Sequence, residues 1–241
     1  MPEIAVVAAL EREIWPLVKS WRVCEQAYSG RRFRFFEAEN CVAVCGGIGP
    51  AAARRAAEAM VALYQPGVLE SVGFAGALDT KLQVGDVLEI RQVIDAADGS
   101  CSDTGRGDST LVSFSSVAGE EQKAKLAKSY GARAVDMEAA AVSKSAQVHH
   151  LQFQAIKVIS DEKDFPMPPM ERFVTDDGQF QSGKFAMYIA LRPWMWATAM
   201  RLGRDSAKAS RALSEHLRRH HESVYAGSQP VAATASEGSR P

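Results

Sequence analysis

CVAVCGGIGPAAARRAAEAMVALY, residues 41–64, restricts the fold more than any other stretch of this chain. Residues 41–47 form an apolar strand that runs straight into glycines. Pro50 then suits the first turn of a helix, and the alanines behind it favour the helical state. The remaining sequence repeats this alternation. Ile4 to Leu10 is a buried strand, and 31–39, RRFRFFEAE, an outer one. Residues 68–74 and 85–94 read as two more strands, 95–109 as a polar Gly/Ser/Asp loop, and 111–114 as a short strand. The pattern continues with a helix over 118–131 closed by Gly131, a strand ARAVDM, a helix EAAAVSKSAQV, and a strand over 153–160. Strands alternating with helices give an α/β class, a three-layer α/β/α domain. This domain is expected over 1–183, followed by a basic, Trp-containing helical extension over 184–222. A Ser/Ala/Gly-rich disordered tail is expected over 223–241.

A chain of 241 residues, 46% hydrophobic and 24% charged, buries one large core. The formal net charge of -1 leaves no broad electrostatic footprint for nucleic acid. Cys24, Cys41, Cys45 and Cys101 form no CxxC pair, and reduced thiols suit the cytoplasm. The N-terminal apolar run follows no positive segment and is too short for a signal peptide or a spanning helix.

Carboxylates stand at three strand ends: Glu13 after Leu10, Glu138 after Met137, and Asp161 after Ser160. In open α/β sheets ligands bind outside the carboxyl ends of strands, so these groups are expected to share a pocket. Each has a plainer explanation. Glu11 and Glu13 suit a first helical turn, and Ser160 and Asp161 suit a helix cap. Asp136 is expected to point away from Glu138 and to cap the helix that follows. Gly47, Gly49 and Ala52 satisfy a loose GxGxx(G/A) spacing, with Glu70 downstream, so a dinucleotide site is an alternative. Glu70 sits mid-strand, however, and the motif does not open the fold. His216 and His220 have metal spacing on a helix, but no third ligand accompanies them in a basic segment. They read as a solvated face, and no metal or cofactor is expected.

The motifs VVAALEREI, CGGIGPAAA, VGFAGAL with LQVGDV, AVDMEAAAV and KVISDE together resemble the nucleoside phosphorylase and nucleosidase superfamily. The resemblance covers about residues 3–162 and is nearest its methylthioadenosine/S-adenosylhomocysteine nucleosidases. The segments DFPMPPMERFV and ALRPWMWATAMRLGRDSAKASRAL look like one branch, the hopanoid-associated phosphorylases, or adenosylhopane nucleosidases. The resemblance implies a mixed, partly barrel-like central sheet, a homodimer, and cleavage of a nucleoside's N-glycosidic bond without a cofactor. It assigns Glu13 to water activation, Met137 and Glu138 to the ribose, and Asp161, beside Ser160, to proton donation at purine N7. It places Phe74, Ala75, Gly76, Gly49, Val117 and Lys157 around the nucleoside. Phe74 replaces a small hydroxyl residue and Lys157 an arginine. The arginine that phosphorylases carry before the glycine turn is missing, and Glu13 would repel phosphate, so water is the expected nucleophile. Arg54 and Arg55 keep a phosphorylase open as the alternative. A catalytically silent nucleoside-binding protein is a further one.

Residues 184–204 hold Trp194 and Trp196 among Met187, Leu191, Met195, Met200 and Leu202, with Arg192, Arg201 and Arg204 interspersed. Such composition fits a segment lying in a membrane interface, where it would draw in a lipid-linked nucleoside. An ordinary helix packing on the core is the competing expectation.

Overall fold

A computed structural model of the protein describes residues 2–175 and 177–228, with backbone alone for 222–228. The strands are β1 (Ile4–Ala8), β2 (Arg22–Tyr28), β3 (Arg31–Glu37), β4 (Cys41–Cys45) and β5 (Val68–Ala77). They continue with β6 (Val87–Asp95), β7 (Cys101–Asp103), β8 (Ser109–Ser113), β9 (Ala134–Asp136) and β10 (Gln152–Asp161). The helices are α1 (Glu11–Val18), α2 (Pro50–Tyr64), α3 (Glu120–Tyr130), α4 (Ala139–Val148), α5 (Ser182–Ala190) and α6 (Trp196–Ser228).

The strands form one mixed sheet in the order β10-β6-β8-β9-β5-β1-β4-β3-β2, with β7 on β6. β10 also pairs parallel with β5, so β5, β9, β8, β6 and β10 close into a barrel. Side-chain alternation along β1 shows how the layers are held. Ile4, Val6 and Ala8 pack with Ile14 and Leu17 of α1 and Leu213 and Leu217 of α6. Ala5 and Val7 face the other way, onto Ala53, Ala57 and Met60 of α2 and Val142 of α4. Each fully buried Leu, Val or Met side chain contributes about 1.5–3 kcal/mol.

Three expectations need correction. The segment 95–109 is not all loop, because Cys101–Asp103 pairs antiparallel with β6. β2 was not foreseen: it is a mostly exposed outer strand, joined to β3 by Ser29 and Gly30, both at positive φ. The expected tail is helical as far as Ser228, while residues 229–241 lie outside the described residues.

Candidate active site

Each of the three strand-end carboxylates reaches one cavity of about 140 Å³. β1 delivers Glu13 through the first turn of α1. β9 delivers Met137 and Glu138, and β10 ends in Ser160 and Asp161. Phe74, Ala75 and Gly76 of β5 and Val117 ahead of α3 complete the walls. The three strand ends do not all run parallel. β9 runs antiparallel to β5, Gly76 opposite Val135. Because β9 is three residues long and the barrel closes, both its ends stay at the carboxyl end of β5.

Glu13 is buried and Gly73 makes room for it. Gly73 adopts φ +151, and a Cβ there would lie 2.6 Å from Glu13 Oε2. That oxygen accepts no hydrogen bond among the described residues. Burial pushes the Glu13 carboxyl up to about 7, against the opposing charges of Lys157 and Arg12. A base poised there loses its proton near neutral pH.

Glu138 is held by the backbone: Gly49 N–H donates to its Oε1 at 2.7 Å and Met137 N–H to its Oε2 at 3.2 Å. The glycine turn therefore fixes a carboxylate. Burial and the neighbouring Asp136 charge push Glu138 up to about 8. Gly49 itself lies behind the cavity wall, within 4.0 Å of Met137 Cε for an added Cβ.

Asp136 serves the cap that was expected, accepting from Ala139 N–H at 2.9 Å and from Ser113 Oγ at 2.6 Å. It does not turn away from the site, since it also forms part of the cavity wall. Its charge is matched by Lys157, whose Nζ lies 2.9 Å from Asp136 Oδ2 and donates to Ser71 Oγ at 3.0 Å. Lys157 was expected at the nucleoside. It lies instead beneath the cavity floor, because a fully buried ammonium must stay with its counter-ion.

At Asp161, Ser160 Oγ–H donates to Oδ1 at 2.7 Å, and Lys123 Nζ donates to Oδ2. Lys123 also donates to Glu162 O at 2.7 Å. Gly76 leaves the space for this pair: a Cβ there would meet Asp161 Oδ2 at 2.9 Å and Lys123 Cε at 3.0 Å. Sequence reasoning missed Lys123. It is one of three lysines on α3, and only its spacing to Leu126, three residues on and also buried, marks it as inward-facing.

A carboxyl poised near neutrality, a backbone-held carboxylate and an acid paired with an ammonium thus surround one cavity. The profile of the phosphorylase superfamily matches residues 3–116 and 109–182. The chain belongs to the phosphorylase superfamily.

Known proteins are similar to this chain in sequence or in fold. A 5'-methylthioadenosine/S-adenosylhomocysteine nucleosidase of Marinomonas sp. (strain MWYL1) is 32% identical over 98 residues. That alignment spans 39% of this chain and 42% of the relative, under half of its length. The Arabidopsis thaliana 5'-methylthioadenosine nucleosidase in apo form superposes with a TM-score of 0.71 at 16% identity, covering 95% of this chain and 98% of that one. The futalosine hydrolase of Helicobacter pylori superposes at 0.68 and 16% identity, covering 92% and 98%.

Two alternatives lose support within this superfamily fold. Glu70, which would hold the ribose of a dinucleotide, is buried under α6 and hydrogen-bonded to His221 at 3.0 Å. Arg54 and Arg55 lie on α2 outside the cavity, with Arg55 donating to Asp177 O at 3.2 Å. Arg12, over the Phe180 ring, is the arginine that lines the cavity among the described residues.

Proposed function

We propose that this chain hydrolyses the N-glycosidic bond of an adenosine-type nucleoside carrying a large apolar, hopanoid-like 5′ substituent, and releases adenine. The observation that carries the reading is the convergence of Glu13, Glu138 and Asp161 on one cavity. Departure of adenine needs a proton at N7, and the sugar then passes through an oxocarbenium-like state. Lys123 holds the transferable proton of the pair at Oδ2 and passes it to Asp161, which delivers it to N7, leaving a carboxylate and a neutral amine. Glu138, in its ionised form, accepts from the ribose hydroxyls and stabilises the cation. Glu13 takes a proton from the attacking water. A positioned acid or base contributes on the order of 100- to 10,000-fold.

The lipid part of the proposal has its own support. The cavity shares Arg12, Leu202 and Ser206 with a groove of about 640 Å³, lined by Trp15, Pro16, Phe185 and Ala199. A 5′ substituent leaving the ribose finds an apolar path along it. Met187, Leu191, Trp194 and Met200 are exposed on the adjoining elements. No helix of the described residues is long and apolar enough to cross a membrane. The proposed enzyme is a cytoplasmic homodimer that touches the membrane surface through 184–204.

A series of adenosines whose 5′ substituent lengthens from methylthio to a long alkyl chain tests this reading. A tenfold or greater rise of kcat/KM along the series is expected, and a flat or falling series removes the lipid substrate. Trp194→Ser with Trp196→Ser should abolish co-sedimentation with liposomes. These point changes are preferable to truncation, because Leu213 and Leu217 of α6 belong to the core.

A phosphorylase remains the second reading on one observation: Arg12 stands at the cavity edge, where it would face a phosphate.

A further inference from the structure

A second cluster of chemistry-bearing side chains lies between α6 and the barrel. His216 and His220 are four apart on α6, so they share a face, and their rings stack at 6.1 Å with 15° between planes. The third ligand that the sequence did not reveal comes from β6. Glu89 brings its carboxylate to them, and one donor atom from each of Glu89, His216 and His220 lies within 4.8 Å of the others.

The details are those of a metal site. His216 Nε2 is 3.3 Å from Glu89 Oε1, close to the roughly 3.3–3.4 Å between two ligands tetrahedrally placed about 2.0–2.1 Å from one zinc ion. That nitrogen is buried without a hydrogen-bond partner among the described residues. His220 Nε2 lies 3.3 Å from Gln154 Oε1 and 3.7 Å from Glu70 Oε1, which leaves Nδ1 as the nitrogen for an ion. Glu70 is fully buried, and its Oε1 accepts no hydrogen bond among the described residues. Metal-bound histidines are characteristically backed by such carboxylate and carbonyl acceptors, which fix the ring and raise its basicity.

We propose that Glu89, His216 and His220 bind one divalent zinc-like ion that fastens α6 to β6, with Glu70 and Gln154 orienting His220. Two imidazoles and one carboxylate suit zinc, with water in the fourth position. The site is remote from the reaction. Gln154 lies opposite Glu70 on β10, and Asp161 is seven residues further along that strand, roughly 23 Å at about 3.3 Å per residue. Its effect is mechanical: α6 carries Leu202 and Ser206 into the active cavity, so fastening its later turns steadies that wall.

The test uses the full chain, stripped with a chelator and titrated with zinc against a chromophoric competitor, without any nucleoside. One zinc per chain is expected, with Glu89→Gln and His216→Ala each weakening affinity at least tenfold. Zinc should raise the Tm of the native chain and leave that of Glu89→Gln unchanged. Absence of saturable binding overturns the proposal. So does binding of equal affinity in both variants, which would assign the metal to another surface group such as His149. Because no substrate is involved, failure here leaves the nucleosidase reading untouched.

Discussion

Lys157→Met removes one charge of a fully buried pair, and its consequences can be worked from the geometry. Lys157 Nζ meets Asp136 Oδ2 at 2.9 Å and Ser71 Oγ at 3.0 Å, with both charged side chains almost wholly removed from solvent. Methionine fills the space but leaves Asp136 uncompensated. Removing one partner of a buried pair destabilises by about 3–5 kcal/mol. For a chain of this size each kcal/mol shifts Tm by about 2–4 °C, so a fall of roughly 6–20 °C is expected in calorimetry. Asp136→Asn alone should be similarly harmful, because it strands the ammonium. The double variant keeps an acceptor for Ala139 N–H and removes both charges, so it should recover at least half the loss. Lys157 also opposes the burial of Glu13 and Glu138. Without it, both carboxyls hold their protons to higher pH, and activity near pH 7 falls. A Tm drop below 2 °C for Lys157→Met, or additive losses in the double variant, would refute the reasoning.

The same site supports three further predictions. Asp161→Asn should abolish turnover while leaving nucleoside binding nearly intact, and Lys123→Met should lower kcat by about 100-fold or more with little change in KM; near-normal turnover of either, measured by adenine release, would reduce the pair to a structural cap. Glu13 and Glu138 must both be ionised to act, so activity should rise with pH between about 7 and about 8, and Glu13→Gln should remove most of the rate and leave only the limb of Glu138. Stability runs the other way: Glu13 and Glu138 keep protons in the folded state that the unfolded chain releases near 4.5, so stability should decline from about pH 4.5 to about 8. Urea unfolding at both ends of that range measures it, and Glu13→Gln should flatten the slope.

The order of strands and helices was largely legible because apolar runs such as Ile4–Ala8 and Cys41–Cys45 are buried on both faces and carry a strong signal. β2 was not, since RVCEQAY is a mostly exposed strand with little apolar content. Glu13, Glu138 and Asp161 could be picked out because each follows an apolar strand directly. Lys123 was hidden among the charges of α3, and Lys157 was placed on the wrong side of the cavity floor. Side-chain direction there depends on barrel closure, and the β5–β10 pairing joins residues more than eighty positions apart, as in Ser71 with Ala155. The same long-range contact class brought Glu89 to His216 and His220, which sequence spacing alone had left as a solvated pair.

Adenine release in phosphate-free buffer tests the central claim most directly. The full chain is incubated with 5′-substituted adenosines, and free base is followed with and without added phosphate. The account predicts release without phosphate, at a rate that phosphate does not raise and that Asp161→Asn abolishes. Release that appears only with phosphate, or none from any adenosine that demonstrably binds, would contradict it.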